Sequence, residues 1–152
     1  MIEVTNHKID TNKLLADVQS PLAGAVVLFV GTTRQLTDGR ETASLDYECH
    51  ESMTLRQFEK LRQEATRRWP ILQCGVIHRI GRVEIGEASI AVAVSSPHRA
   101  DAFAAASWLM DEIKQQAPIW KRENWADGSS QWVHPGLDGP GENLADTAED
   151  AT

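Results

Sequence analysis

Two prolines divide this chain more sharply than any other feature. Pro70 and Pro118 each stand at the end of a long stretch of helical periodicity, and a proline inside a helix removes a backbone hydrogen bond and clashes with the preceding turn. The first stretch runs from Thr54, which with Gln57 has capping-box spacing, to Trp69, with Leu55, Phe58, Leu61 and Ala65 as its apolar side. The second runs to Ala117. Ser96 is its expected N-cap, Pro97 its first helical residue, and Phe103, Ala106, Met110, Ile113 and Ala117 its core stripe.

Strand-like runs surround these helices. Ile2–Val4 reads as a short strand. Asp10 or Thr11 caps a short helix bearing Leu14, Leu15 and Val18. The apolar run Ala23–Gly31 reads as a central strand, and polar Thr32–Thr42 as a mobile loop with Asp38-Gly39 as its turn signal. Ala43–His50 reads as a strand with Leu45, Tyr47 and Cys49 on one face. Ile71–Ile80 and Ala88–Ser96 are strands joined by Gly81–Glu87. Three helices with about five strands and short connections predict an α+β fold with a largely antiparallel, mixed sheet.

The chain has 152 residues and a formal net charge of −7. Five acids and no Lys or Arg fall within 134–152, so the remainder carries −2. We therefore expect one domain over 1–133 and an acidic, disordered tail over 134–152. A nearly neutral body excludes a broad nucleic-acid surface. With no apolar run long enough for a membrane span and no signal peptide, a cytoplasmic location is expected. Cys49 and Cys74 lie in apolar, strand-like surroundings and read as small buried hydrophobes rather than reactive thiols. No cluster of side chains has metal-ligand spacing, so no metal is expected.

Against that background the segment Lys114–Glu123 stands out, with Lys114 and Lys121 on either side of Pro118 beside Trp120. Cations gathered around an apolar anchor suit an anion. Lys114 lies at the edge of the helix's apolar face, where burial can make a lysine reactive; a snorkelling lysine at a helix end is the alternative. His98 and Arg99 fall in the first helical turn, where backbone N–H groups and the dipole favour an anion. Either an external anion sits there, or Arg99 pairs with Asp101 or Glu84. Arg99 and Lys114 are 15 residues apart, about 22 Å along a helix. One pocket using both would take Lys114 from one subunit and His98-Arg99 from another.

Several segments together resemble the large, catalytic subunit of molybdopterin synthase. They are Phe29-Val30-Gly31-Thr32-Thr33-Arg34, His78-Arg79-Ile80-Gly81, Ser96-Pro97-His98-Arg99 and the Lys114–Glu123 segment. The resemblance spans about residues 20 to 133. It implies an α/β hammerhead fold and a homodimer that binds, at each end, a small ubiquitin-like sulfur-carrier subunit ending in Gly-Gly. It implies a sulfurtransferase in molybdenum cofactor biosynthesis, which passes sulfur from the carrier's thiocarboxylate to cyclic pyranopterin monophosphate and so builds a dithiolene. With the sulfur supplied by the partner's thiocarboxylate, the resemblance implies no cofactor, and neither cysteine is required as a nucleophile.

By position, the resemblance makes Lys114, Lys121 and Arg34 catalytic. Lys121 would do acid–base work or orient the thiocarboxylate, and Lys114 would engage the carrier's terminal carbonyl. It assigns His98 and Arg99 to substrate binding, with Thr32, Thr33, Arg122 and Glu123 flanking and Phe29, Met110 and Trp120 as pocket walls. The chain departs from the family at three points. Thr33 stands where valine is commoner, the segment after Lys121 is one residue longer, and Trp132–Gly136 lacks an arginine that some members carry. His134 is expected to be a solvent-exposed tail residue. A non-catalytic binder of a carrier protein or phosphorylated anion is the alternative function.

Overall fold

The computed structural model describes residues 1–134; the acidic tail from residue 135 onward lies outside the described residues. The elements run β1 (Ile2–Thr5), α1 (Thr11–Val18), β2 (Ala25–Thr32), β3 (Leu36–Thr37), β4 (Arg40–Cys49), α2 (Glu51–Arg68), β5 (Gln73–Arg79), β6 (Gly81–Glu84), β7 (Ala88–Ser96), α3 (Arg99–Gln116), β8 (Ile119–Trp125) and β9 (Ser130–Val133). The strands form two sheets. One is four-stranded, in the order β1-β5-β7-β2; the other is ordered β3-β4-β8-β9, with β6 also paired to β4. Among the described residues only β1 and β5 pair in parallel, so the fold is α+β and largely antiparallel, as expected.

The first sheet is covered on both faces, and the period of two along β7 divides the cover. Ile90, Val92 and Val94 join Phe58, Leu61 and Ala65 of α2 and Ala102, Ala105, Ala106, Leu109 and Ile113 of α3 in the larger core. Ala91 and Ala93 face the other way, onto Leu14 and Val18 of α1. A Cβ at Gly75 would lie 2.5 Å from Leu14 Cδ1, so glycine is what lets α1 approach β5. Phe58 is fully buried, and Phe58→Ala should cost about 3–5 kcal/mol.

The structure corrects several expectations. The run around Ala23–Gly31 forms β2, an edge strand rather than a central one, with Val26 and Phe29 exposed. Continuous apolar character reports on a strand's faces, not on whether both edges are paired. The expected loop 32–42 contains β3, joined to β4 by a tight turn at Asp38 (φ 49°) and Gly39 (φ 79°). Two consecutive positive φ values match a hairpin turn that follows the strand twist. β6, β8 and β9 add strands where none were expected.

Helix α2 begins one turn before Thr54. His50 is its N-cap, its Nδ1 accepting from the Met53 N–H, while Thr54 is buried and its hydroxyl donates to the Pro118 carbonyl at 3.5 Å. His98, not Ser96, occupies the N-cap position of α3, and its side chain makes no capping hydrogen bond there. Ser96 is the last residue of β7, and its hydroxyl donates to the Pro70 carbonyl at 3.4 Å. Phe103 is exposed and Met110 half-buried. At 100° per residue both lie about 100–120° around the helix from buried Leu109, so the true stripe is alanine-rich and rotated from the expected one.

Candidate active site

Where α3 ends, the chain cannot remain helical through Pro118 and turns directly into β8. That reversal is pinned from outside: the His50 N–H donates to the Pro118 carbonyl at 3.2 Å, and the Gln57 amide donates to Gln116 at 2.7 Å. It brings Lys114, in the last turn of α3, and Lys121, the third residue of β8, to the walls of one cavity of about 310 Å³.

Each wall follows from its element. Strand β2 contributes Phe29, Gly31 and Thr32, and the turn after it contributes Arg34. A Cβ on Gly31 would lie 2.7 Å from Ile90 Cγ2, so this position keeps β2 close to β7. The Arg34 turn is clamped by the Thr33 N–H to the Glu87 carbonyl at 3.1 Å and by the Gly86 N–H to the Thr33 carbonyl at 2.9 Å. Glu87 is itself fixed by Arg79 at 2.8 Å and Lys8 at 3.0 Å. Helix α3 contributes Met110, Ile113 and Lys114, and β8 contributes Ile119, Lys121 and Glu123.

Strand alternation sorts the segment after Pro118. Lys121 and Glu123 face the cavity, their side chains only 19% and 6% exposed, with Nζ 3.5 Å from Oε1. The Thr42 hydroxyl donates to Glu123 Oε2 at 3.4 Å. Trp120 and Arg122 face away. Arg122 donates to Asp46 Oδ2 at 2.9 Å, and its guanidinium lies 5.6 Å from the Trp132 ring. Trp120 packs its ring against His134 at 5.8 Å. His134 is thus half-buried against an indole rather than a free tail residue.

Of the residues expected at the site, Phe29, Thr32, Arg34, Met110, Lys114, Lys121 and Glu123 line the cavity; Thr33, Trp120, Arg122, His98 and Arg99 do not. Thr33 is buried beside it, and among the described residues its Oγ1 has no hydrogen-bond partner. His98 and Arg99 are exposed at the opposite end of α3 from Lys114. Among the described residues neither Asp101 nor Glu84 forms a salt bridge with Arg99, and Glu84 is taken by Arg82. Lys114 itself is exposed, so it stands at the solvated mouth rather than within an apolar wall.

Sequence reasoning left the polar floor unassigned. Thr42, Tyr47, His78 and Ser89 also line the cavity. The one available signal was His78, an imidazole that directly follows the buried run Val76-Ile77 in β5. Cys49 and Cys74 are absent from the lining. Burial raises both thiols, that of Cys74 to about 12, so both are poor nucleophiles. Among the described residues no cluster of His, Cys, Asp and Glu is placed to hold a metal ion, and no helix is long and apolar enough to cross a membrane.

An α+β domain that gathers two lysines and an arginine around a partly apolar cavity, opposed there by one carboxylate, is of the kind that grips an anionic substrate end while enclosing a flat or apolar body. Residues 4–116 match the family described as MoaE protein. The Bacillus subtilis molybdopterin synthase catalytic subunit is 40% identical over 131 residues, which cover 86% of this chain and 83% of that protein. The crystal structure of molybdopterin synthase from Staphylococcus aureus superimposes with a TM-score of 0.83 at 35% identity, covering 86% of this chain and 95% of that one. A complex of subunits 1 and 2 of molybdopterin-converting factor from Helicobacter pylori shares the fold, with a TM-score of 0.70 at 23% identity and 88% of each chain covered. This chain belongs to the MoaE family of molybdopterin synthase catalytic subunits, sulfur-transferring enzymes of molybdenum cofactor biosynthesis.

Proposed function

We propose that the cavity receives the C-terminal thiocarboxylate of a small ubiquitin-like carrier subunit together with cyclic pyranopterin monophosphate, and that sulfur passes from the first to the second to form the molybdopterin dithiolene. The observation that carries this reading is the convergence of Lys114, Lys121 and Arg34 on one cavity of about 310 Å³. Both proposed reactants end in anions, and the cavity offers cations at its rim with apolar walls from Phe29, Met110 and Ile113.

Within this reading, Arg34 supplies a forked donor for phosphate or carboxylate. Lys121 orients the thiocarboxylate or moves a proton during transfer, with Glu123 at 3.5 Å holding its ammonium in place. Lys114, at the mouth, polarises the carrier's terminal carbonyl. His98 and Arg99 reach the substrate phosphate from a second copy of the chain in a homodimer. The Helicobacter pylori complex of two subunits supports the carrier arrangement at the level of the shared fold.

The test is reconstitution. Purified chain, thiocarboxylated carrier and cyclic pyranopterin monophosphate should yield the dithiolene, read by mass spectrometry as incorporated sulfur. Carrier and pterin binding without incorporation would favour a non-catalytic binder. Lys121→Ala should abolish turnover while carrier affinity stays within about tenfold, or roughly 1.4 kcal/mol.

A further inference from the structure

His78 lies near the end of β5, opposite Ile90 of β7, and follows Val76 and Ile77. It is 5% exposed and lines the same cavity as Lys121 and Arg34. Its Nδ1 lies 2.8 Å from the Arg79 carbonyl oxygen. A carbonyl can only accept, so Nδ1 is the donor and carries the proton. In a neutral imidazole the lone pair is then on Nε2. Among the described residues no side chain or backbone group hydrogen-bonds to Nε2. The ring is fixed from a second side by Tyr47, edge-on at 5.0 Å. Burial pushes the imidazole down to about 4, so at neutral pH it is an acceptor and not a cation.

The cavity is therefore chemically two-sided. Arg34, Lys114 and Lys121 offer donors with positive charge, while His78 offers a rigid, neutral acceptor. Phosphate and thiocarboxylate oxygens are acceptors themselves, and the Nε2 lone pair repels them. A heterocyclic N–H is complementary to it. A ligand that fills the cavity displaces water from Nε2, so one that brings a donor keeps that acceptor paired while one that brings none leaves it unpaired at a cost.

We infer that His78 determines specificity in this cavity: its Nε2 accepts a hydrogen bond from a ring N–H of the bound heterocycle and thereby fixes which edge of the ring faces β5. This deepens the proposed function and rests on the reading that a phosphorylated pterin enters here.

Two substitutions separate the roles of the two ring nitrogens. In His78→Gln the amide oxygen takes the place of Nε2 and keeps the acceptor. In His78→Asn the amide nitrogen takes the place of Nδ1, keeps the bond to Arg79, and loses the acceptor. Calorimetry with cyclic pyranopterin monophosphate should give His78→Gln a Kd within about threefold of wild type and His78→Asn a Kd weaker by about tenfold or more. In turnover, His78→Asn should raise KM for the pterin more than it lowers kcat. Carrier affinity should be unchanged in both, which also reports that both are folded. In the unsubstituted protein, adding the pterin should shift the Nε2 resonance of His78 in nitrogen-15 NMR, a readout independent of any variant. Equal Kd values for the two variants, greater loss in the Gln variant, or an unmoved Nε2 resonance would overturn the inference. If unsubstituted protein binds no cyclic pyranopterin monophosphate, it is the substrate reading that fails.

Discussion

Thr33 carries a hydroxyl that the protein leaves unused. The residue is 4% exposed and among the described residues Oγ1 has no partner, while its backbone N–H and carbonyl are engaged by Glu87 and Gly86. Valine has the same shape without the unsatisfied group. Thr33→Val should therefore stabilise the fold by about 1 kcal/mol, visible as a higher denaturant midpoint with an unchanged slope. His78 makes the opposite kind of demand. Its folded-state pKa of about 4 lies below the ordinary 6.5, and burial is the cause. Between those values the unfolded chain binds a proton that the folded chain refuses. Stability is fully present above pH 6.5 and falls as the pH drops toward 4, by a total on the order of 3 kcal/mol. His78→Gln removes this term, so its stability difference from wild type should shift in the variant's favour between pH 7 and 4.5. A difference that stays constant with pH would show that the imidazole is not held neutral. Neither residue's surroundings were legible in the sequence: the resemblance sets Thr33 beside the site and His78 in a shared segment, but neither position tells that the Thr33 hydroxyl is buried without a partner or that His78 faces the cavity.

At the scale of the element, β8 shows why the site hid its own strand. Ile119, Lys121, Glu123 and Trp125 alternate with Trp120, Arg122 and Asn124, and neither set is uniformly apolar. The inward set carries the charged groups of the cavity, so function erased the hydrophobic alternation by which a half-buried strand is recognised. What sequence did supply was position: Pro118 ends the helix, and residues two apart on a strand share a face. Read that way, Lys121 and Arg122 must differ. Lys121→Ala should eliminate turnover. Arg122→Ala loses a partly exposed pair with Asp46 and should cost at most about 1 kcal/mol of stability, with turnover at saturating carrier kept within about threefold. Steady-state rates of the two variants side by side decide it. A loss in Arg122→Ala as deep as in Lys121→Ala would mean that its guanidinium reaches the substrate.

Across the whole molecule, five bases proposed for the site fall into two groups separated by the length of α3. Arg34, Lys114 and Lys121 line the cavity, while His98 and Arg99 lie at the other end of the helix, about 22 Å away by helical rise. If a second copy brings His98 and Arg99 to the phosphate, mixing the inactive variants Lys114→Ala and Arg99→Ala should restore turnover, because a mixed dimer holds one intact cavity. No recovery in a verified mixed dimer would confine the site to a single chain. Sequence alone determined the two proline-terminated helices, the α+β class and the family, because local sterics, periodicity and motif spacing are all written along the chain. It named Arg34, Lys114 and Lys121 but also His98, Arg99 and Arg122, which do not line the cavity. Tertiary structure alone decided that β2 is an edge, that Arg122 and Trp120 turn outward, that Phe103 is exposed, and that His78 forms part of the cavity wall. Each of these depends on which surfaces meet across the fold, and the packing that settles such meetings is set by segments remote in sequence.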